Sequence, residues 1–438
     1  MTPIFKKRSR QLPGNYRPIS LTSVVGKVGE GIVADRLLDH IVKNKLLLAS
    51  QHGFMQGRSC LTNLIEFFHY MLTEYDQCRA IDILYFDFKR AFDKVPHRRL
   101  MKKVRALGIG GVVADWIENW LTDRRQRVVI RGETSDWVPV TSGVPQGSVL
   151  GPLLFIIYIN DIDVGIVSRI AKFADDTKIG GNVSSPEKIE ELHSDLVKIG
   201  EWSERWQMPF NLDKCKVMHI GHANPSANYT LLGSAVSSTE LEKDLGVLIS
   251  SDLKFSKQCI EVEKKAQRLL GYIKRQFRFR NKEIVLTLYN SLVRPHLEYA
   301  VQFWSPTLKK DIARLERVQA RATKLIPSIR HMGYQRRLKA LGLFTLETRR
   351  LRGQLIEVFK ILRGFENIDY EHLFSLNTST TRNHGWKLSL KRFHRDTLGN
   401  FFTYKICNTW NKLPPKVVDS SMIEQFKSRL DKLLLDLS

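Results

Sequence analysis

The sequence predicts an α+β protein with a mostly helical C-terminal region. In the first third of the chain, short apolar strand-like runs alternate with amphipathic helical patterns. After residues 221–238, which are rich in small, polar and loop-forming residues, the helical pattern dominates. With 438 residues, the chain is longer than one ordinary hydrophobic core can organise, so two or three subdomains are expected.

Hydrophobic periodicity assigns the elements before residue 221 in order. A helix is expected first, because Ile32, Val33, Leu37 and Ile41 recur on one face. The expected elements are a helix at 28–45, a helix at 62–75, a buried strand at 81–86, a hairpin of 127–131 with 137–140, a buried helix over 153–159 and a helix at 187–206.

A basic amphipathic helix is predicted from Ala266 onward. Its apolar face is formed by Leu269, Leu270, Ile273 and Phe277. The other faces carry basic residues, which are Lys264, Lys265, Arg268, Lys274, Arg275 and Arg278. Such a helix is most often a solvated surface element, but in a chain this basic we favour contact with nucleic acid.

The charge balance indicates a polyanionic partner. The formal net charge is +24 and the isoelectric point is near 9.8, which leaves nucleic acid or an anionic membrane. The longest apolar run, 153–159, is far short of the ~20 residues that span a bilayer, so no membrane association is expected. The five cysteines form no Cys-x-x-Cys pair, and an intracellular location is the default.

Two adjacent aspartates, Asp175 and Asp176, lie between short β-prone segments in the stretch 171–179. If the chain turns there, both carboxylates project from the tip of a hairpin. Adjacent carboxylates repel one another unless a cation neutralises them, and their hard oxygen atoms suit Mg²⁺. Alone the pair indicates little, because turns favour aspartate whatever their function.

A third aspartate changes that interpretation. Asp87 follows directly after the apolar strand 81–86, where an acid must meet a cation, a hydrogen-bond network or solvent. Asp93 is explained as well by a cap on the following helix. A strand-end aspartate combined with a distant Asp-Asp hairpin is the layout of a two-metal site that stabilises phosphoryl transfer.

The loop 142–152 lies between these acidic elements and reads Ser-Gly-Val-Pro-Gln-Gly-Ser-Val-Leu-Gly-Pro. Its glycines let the backbone approach a ligand closely, and Gln146 can both donate and accept hydrogen bonds. Pro152 suits the first turn of the next helix. The loop would be an ordinary turn elsewhere, but its length and position make it a candidate ligand-binding segment.

Taken in order, these motifs resemble the reverse transcriptases of non-long-terminal-repeat retrotransposons, the LINE-type elements, and especially the jockey and chicken-repeat branches. The resemblance covers most of residues 1–300, and 288–304 is also similar. Further matching segments are Asn15–Thr22, Gln51–Ser59, Phe210–Lys216 and Leu245–Val247.

The resemblance implies an RNA-directed DNA polymerase, a nucleotidyltransferase that extends a DNA primer on an RNA template with deoxynucleoside triphosphates. It also implies two Mg²⁺ ions, for which Mn²⁺ can substitute. Lys214, or the nearby Lys216, would protonate the leaving pyrophosphate. The implied metal ligands are Asp87, Phe88 through its backbone carbonyl, Asp175 and Asp176.

The matching motifs assign further residues to the nucleotide. Arg58 is expected to pair with the triphosphate, because a guanidinium suits phosphate oxygens. Gln146 and Gly147 are expected to line the nucleotide pocket. Phe92 would lie under the sugar and exclude a 2′-hydroxyl, although a core aromatic residue is an equally simple interpretation.

The implied architecture is a right-hand polymerase with fingers, a palm containing an antiparallel sheet, and a helical thumb. We expect fingers and palm at 1–230, primer grip and thumb at 231–304, and a basic, mostly helical region of unassigned role at 305–438. Full-length elements carry an endonuclease domain before the polymerase, and this chain opens almost on the first polymerase motif, so it is not expected to nick target DNA. A nuclear location is implied by where such elements integrate.

Two other functions stay open. The chain could be a catalytically inactive nucleic-acid-binding remnant of a retrotransposon, since Met55 and Gln56 stand where the family often has basic residues. The intact aspartates favour the enzyme, because RNA binding alone does not need acids that repel phosphate. The chain could also be an RNA-templated RNA polymerase, but Phe92 counts against it because a ribonucleotide needs room there.

Overall fold

A computed structural model describes residues 1–6, 9–377 and 385–436. The strands in the described residues are short. They are β1 (Thr2–Phe5), β2 (Tyr16–Ile19), β3 (Ile81–Phe86), β4 (Arg125–Gln126), β5 (Val129–Ile130), β6 (Glu133–Thr134), β7 (Val138–Pro139), β8 (Arg169–Phe173), β9 (Asp176–Asn182), β10 (Lys216–Ile220), β11 (Thr230–Leu231), β12 (Ser234–Ala235), β13 (Ser237–Ser238), β14 (Leu241–Asp244) and β15 (Val247–Ser250).

Helices account for most of the regular structure. They are α1 (Val24–Lys43), α2 (Cys60–Asp76), α3 (Ala91–Lys94), α4 (His97–Ala106), α5 (Gly111–Leu121), α6 (Leu150–Ile159), α7 (Pro186–Trp206), α8 (Ser256–Gln276), α9 (Lys282–Leu288), α10 (Arg294–Glu298), α11 (Val301–Trp304), α12 (Lys309–Lys324), α13 (Tyr334–Leu341), α14 (Leu346–Leu362), α15 (Tyr370–Leu373), α16 (Asp396–Gly399), α17 (Phe402–Lys405), α18 (Cys407–Asn411), α19 (Pro415–Val418) and α20 (Ile423–Asp436). The predicted combination of strands, helices and a mostly helical C-terminal region is confirmed.

The chain folds into two compact units. The first unit comprises residues 1–55, 82–217 and 225–238, and the second comprises 56–81, 218–224 and 239–438. No helix in the described ranges combines the length and the apolar character needed to cross a bilayer.

The first unit is organised around a five-stranded sheet in the order β13-β10-β3-β9-β8. Strand β3 is its central strand, which explains why the predicted strand 81–86 is almost entirely buried. Strands β8 and β9 form an antiparallel hairpin in which Phe173 lies opposite Asp176. Strand β13 is parallel to β10, so the sheet is mixed and contains the expected antiparallel pairing together with one parallel pair.

Helices α1, α4 and α6 build much of the core of the first unit. Helix α6 is apolar on every side and is buried, as predicted for 153–159. Its first amides, those of Val149 and Leu150, donate to the buried carboxylate of Glu30 on α1 at 2.6 and 3.3 Å. Helix α1 begins four residues earlier than predicted because the hydroxyl of Ser23 accepts from the amide of Gly26 and caps it.

The predicted hairpin is present but interrupted. Strands β4 and β7 pair with Arg125 opposite Pro139, and β5 and β6 pair beyond them around a two-residue turn. Arg131 and Gly132 form that turn with φ of 52° and 94°, the left-handed conformation that matches the twist of a hairpin. The pairing begins two residues before the predicted start.

The second unit is mainly helical. Helix α8 begins at Ser256, ahead of the predicted basic stretch. It buries Leu270 and Ile273 of the predicted apolar face, whereas Phe277 of that face lies past the end of the helix and is exposed. Helix α2 contacts the C-terminal region, because a ring nitrogen of its His69 lies 2.9 Å from the hydroxyl of Thr403. The described part of 305–438 is mostly helical, as expected.

Candidate active site

The sheet of the first unit brings two of the predicted carboxylates close together. Asp87 follows the last residue of β3, and Asp175 occupies the turn between β8 and β9. Because β3 and β9 are neighbours, the two side chains interact. Burial, and then the negative charge of Asp87, raise the pKa of the Asp175 carboxyl above its usual range. A cation bound between them would relieve this repulsion.

Asp176 is placed differently from the other two. It is the first residue of β9, and its side chain is exposed. Within the described ranges, no three histidine, cysteine, aspartate or glutamate side chains converge as a ready-made metal site. Asp87 and Asp175 still fit Mg²⁺ by their chemistry, because this ion is commonly held by one or two carboxylates together with substrate phosphates.

The turn that carries Asp175 is supported by the segment 50–53. The backbone amide of Lys172 donates to the carbonyl of Ser50 at 2.8 Å, and that of His52 donates to the carbonyl of Lys172 at 2.9 Å. The side-chain oxygen of Gln51 accepts from the amides of Gly53 at 2.8 Å and Ala174 at 3.0 Å. Ala174 needs this support, because its φ of 55° is unfavourable for a residue with a side chain.

Gly53 allows the hairpin to approach this closely. A Cβ atom at this position would overlap the backbone nitrogen of Ala174 and lie 3.0 Å from the carbonyl carbon of Phe173. Beneath the turn, the fully buried ammonium of Lys172 forms an ion pair with Asp163. The sequence identified 51–59 only as a segment that resembles the family. It did not indicate that Gln51 and Gly53 fix the position of Asp175.

The two candidate lysines have different partners. The ammonium of Lys214 donates to a carboxylate oxygen of Asp87 at 2.7 Å, whereas that of Lys216 donates to the hydroxyl of Ser237 at 2.6 Å. The structure therefore places Lys214, and not Lys216, beside the carboxylates. Its side chain is half exposed and accessible to a ligand.

Two further cations act on the same carboxylates and were missed in the sequence. Lys6 follows β1 and Arg17 lies in β2, which pairs with β1. Burial, followed by the charges of Arg17 and Lys214, lowers the pKa of Lys6, while Asp87 and Asp175 oppose that shift. No local motif reveals Lys6, because its relation to the carboxylates depends on contacts distant in sequence.

Phe88 anchors the segment that carries Lys214. Its ring stacks on Phe210 with centroids 4.5 Å apart, and the amide of Lys89 donates to the carbonyl of Pro209 at 2.8 Å. The amide of Asn211 donates to the carbonyl of Asp87 at 2.7 Å. The ring of Phe88 is thus a core element, and a ligand role for its carbonyl stays a prediction.

Phe92 is half-buried among aromatic side chains. Its ring stacks on Phe155 at 4.4 Å and meets the edge of Phe54 at 6.4 Å. The amide of Val144 donates to the carbonyl of Phe92 at 2.7 Å, which ties the residue to the glycine-rich loop. Both predicted roles, sugar contact and core aromatic, are compatible with this position.

The glycine-rich loop packs tightly between two other segments. The carbonyl of Gln146 accepts from the amide of Ser20 at 2.7 Å. Gly147 has φ of 114°, and a Cβ there would overlap the carbonyl oxygen of Ser20. Gly143 has φ of 90°, and a Cβ there would lie 2.8 Å from the backbone of Asp93. Glycine is therefore required at both positions.

Arg58 belongs to the second unit. Its guanidinium donates to the carbonyl of Asn367 at 2.9 Å, and the amide of Asn367 donates to the carbonyl of Gly57 at 2.6 Å. Burial lowers the pKa of Arg58. In this structure Arg58 engages the C-terminal region, and its pairing with a triphosphate stays a prediction.

An α+β unit that brings aspartates together from neighbouring strands of its central sheet has the organisation of a polymerase palm. The family described as reverse transcriptase (RNA-dependent DNA polymerase) matches residues 4–274. The chain belongs to this family. The predicted family and, with it, the right-hand polymerase fold are thereby confirmed.

Known proteins similar to the chain come from mobile elements. A probable RNA-directed DNA polymerase from transposon X-element of Drosophila melanogaster is 28% identical over 347 residues, which are 76% of this chain and 38% of that protein. The RNA-directed DNA polymerase from mobile element jockey of the same species is 26% identical over 325 residues, or 71% and 35%. The chain thus spans less than two-fifths of these relatives. A structure of telomerase from Candida tropicalis with a telomeric RNA fragment has a TM-score of 0.41 and 11% identity, covering 93% of this chain and 56% of that one.

Proposed function

We propose that this protein is an RNA-directed DNA polymerase that extends a DNA primer on an RNA template with deoxynucleoside triphosphates. The observation that carries the proposal is the pair Asp87 and Asp175, whose carboxylates repel across neighbouring strands. Reverse transcriptases use divalent metal ions, and for this chain we propose two Mg²⁺ ions, with Mn²⁺ able to substitute. Their ligands would be Asp87, Asp175, Asp176 and the carbonyl of Phe88.

In the proposed reaction the primer 3′-hydroxyl loses its proton to solvent, its oxygen bonds to the α-phosphorus, and the bond from that phosphorus to the pyrophosphate oxygen breaks. The bound cations would stabilise negative charge on the primer oxygen, the phosphoryl group and pyrophosphate. Lys214 carries a proton at the ammonium that lies 2.7 Å from Asp87, and it donates this proton to pyrophosphate as the latter leaves.

The nucleotide is held by residues from several segments. Gln146 and Gly147 line its pocket. The ring of Phe92, fixed by stacking on Phe155, lies under the sugar and leaves no room for a 2′-hydroxyl. Selection against ribonucleotides separates this activity from RNA-templated RNA synthesis. The enzyme would act in the nucleus, where its DNA target resides.

The test is primer extension on an RNA template with Mg²⁺ and deoxynucleotides. The wild type should extend the primer, and an Asp175→Ala/Asp176→Ala variant should not. Asp115→Ala is the matched control, because this aspartate is exposed on α5 and should leave extension unchanged. Extension by the double variant at the wild-type rate would refute the assignment of these carboxylates.

A binding remnant without turnover is the second candidate. One observation favours it: the ammonium of Lys214 already pairs with Asp87. It predicts that wild type and double variant both fail to extend the primer while both bind the template with strong salt dependence. The same assay, run with a filter-binding measurement, therefore separates the two candidates.

A further inference from the structure

A basic cleft lies in the first unit beside the glycine-rich loop. It has a volume of 580 Å³, and Gln146 forms part of one wall. The hairpin of β4 and β7 forms another wall, with a tryptophan and most of the basic side chains. The cationic and aromatic lining consists of Arg90, Arg124, Arg125, Arg127 and Trp137.

The aromatic part of this lining is open to solvent. Trp137 is 56% exposed, and the guanidinium of Arg127 lies 4.7 Å from the centre of its ring. Exposing a tryptophan to this degree is unusual for a side chain whose only role is packing. The guanidinium covers one face of the indole, and the exposed remainder of the ring is a surface on which an unpaired nucleobase stacks.

The cationic part is largely unneutralised. Among the described residues of the lining, Asp93 is the one acidic side chain, and its charge acts on Arg90. No carboxylate of the described residues forms an ion pair with Arg125 or Arg127, and Arg124 receives only the more distant charge of Glu30. Positive charge without protein partners attracts phosphate.

We propose that this cleft binds an unpaired segment of the template strand, with its phosphates on Arg125 and Arg127 and a base on Trp137. The inference rests on the proposed polymerase function. Arg125 lies in β4 and Arg127 directly follows that strand, and both side chains line the cleft. A cleft of this volume is in the range of small-molecule pockets, and a single nucleotide fits it.

A free triphosphate is the competing ligand, and it fits this lining less well. The base of the added nucleotide could also stack on the indole ring, but its triphosphate must reach Asp87 and Asp175, and neither of them lines this cleft. Stacking also binds every base, as a template site must. The site therefore serves the strand before it is copied rather than the nucleotide that is added.

The experiment compares two RNA–DNA primer–templates that differ only in a single-stranded 5′ extension of the RNA. The wild type should bind the extended form more tightly. Trp137→Ala and Arg125→Gln/Arg127→Gln should each weaken binding of the extended primer–template by about tenfold, as expected for one stacked base or two phosphate contacts. Neither variant should change binding of the blunt primer–template. The double variant should also reduce the slope of log Kd against log salt by about 1.4.

Matched controls exist on the same hairpin. Arg131→Gln removes one positive charge at the exposed turn outside the cleft, and Val138→Ala truncates an exposed neighbour of Trp137. Both should bind like the wild type, and thermal melting should show that all variants fold. Equal losses with Arg131→Gln would overturn the proposal, because net charge alone would then explain the effect.

Two other results also decide the question. If Trp137→Ala or Arg125→Gln/Arg127→Gln raises the KM for deoxynucleotides but leaves the affinity for the template strand unchanged, the cleft is a nucleotide site and the inference is overturned. Preference for the extended template that depends on Trp137, in a wild type that extends no primer, would support the cleft and refute the polymerase function.

Discussion

Gly53 controls the catalytic geometry although it has no side chain. Its lack of a Cβ lets the segment 50–53 pack on the turn that carries Asp175. Gly53→Ala should displace the Ala174 backbone and lower primer extension by at least about tenfold, since small misplacements of reacting groups cost this much. Extension rate at saturating substrate, with melting temperature measured in parallel, tests this.

Gly29 is the matched glycine for this comparison. A Cβ at Gly29 meets nothing within 4 Å, and the residue lies inside helix α1. Gly29→Ala should therefore keep full activity and stabilise the fold by about 0.5–1 kcal/mol. If both alanine variants extend primers like the wild type, Gly53 does not position Asp175.

Lys214 and Lys216 are close in sequence but differ in their partners. Lys214→Gln removes the proposed proton donor and should lower kcat by about 100-fold. Lys216→Gln loses only the bond to Ser237 and should change kcat little. Single-nucleotide incorporation at saturating deoxynucleotide measures both, and similar losses in the two variants would contradict the assignment.

The sequence could not separate these two lysines, because both follow the same motif. The distinction arises from pairing of the 209–211 backbone with Asp87 and Lys89, over more than a hundred residues. Lys6 and Gln51 were missed for the same reason. Asp87 and Asp175, in contrast, were predictable because strand-end and turn acids leave a local pattern.

At the level of elements, periodicity located α1, α2, β3 and α7, but the capping residues set where they start. Helix α2 begins two residues before its predicted start because Ser59 and Thr62 form a reciprocal capping box. The interrupted hairpin was harder to predict, since the two-residue turn at Arg131 and Gly132 depends on backbone conformation. The parallel pairing of β13 with β10 has no signature in its two residues.

The start of helix α6 depends on Glu30. Its buried carboxylate accepts from the amides of Val149 and Leu150, at the positive end of the helix dipole. Glu30→Ala would leave the buried amide of Leu150 and the part-buried amide of Val149 without this acceptor and should destabilise the protein by about 1–3 kcal/mol. Urea denaturation measures this, and Asp35→Ala on the exposed face of α1 should cost under about 0.5 kcal/mol.

Helix α14 carries a buried glutamate, Glu357, whose ionisation near neutral pH is unfavourable for the fold. Burial raises the pKa of Glu357 to about 7, although Lys360 lies 3.5 Å away. Its unfolded pKa is near 4.5, so the folded protein holds the proton longer and loses stability as pH rises from about 4.5 to 7. Glu357→Gln should remove this loss, worth about 1–3 kcal/mol.

Denaturation of wild type and Glu357→Gln at pH 5 and pH 8 tests that linkage. The variant should gain stability relative to the wild type as pH rises, because glutamine does not ionise. Glu371→Gln is the control, since this glutamate is exposed on α15. A stability difference that is the same at both pH values would show that Glu357 is not buried as an acid.

For the whole molecule, the net positive charge and the carboxylates of the candidate active site act on nucleic acid in opposite directions. A net charge of +24 provides attraction to any nucleic acid, whatever its sequence. The carboxylates oppose that attraction locally, and Lys6, Arg17 and Lys214 act on them in the first unit. Binding and catalysis should therefore be separable by substitution.

Template affinity across salt concentrations tests this separation. Affinity should fall by at least about tenfold between 50 and 200 mM salt, because each phosphate contact releases a counterion. Asp175→Ala/Asp176→Ala removes two negative charges, so it should bind RNA at least as tightly as the wild type, with the same salt slope, while extension is lost. If the double variant instead binds several-fold more weakly in the absence of divalent ions, these aspartates support the binding surface itself, and loss of extension no longer identifies them as metal ligands.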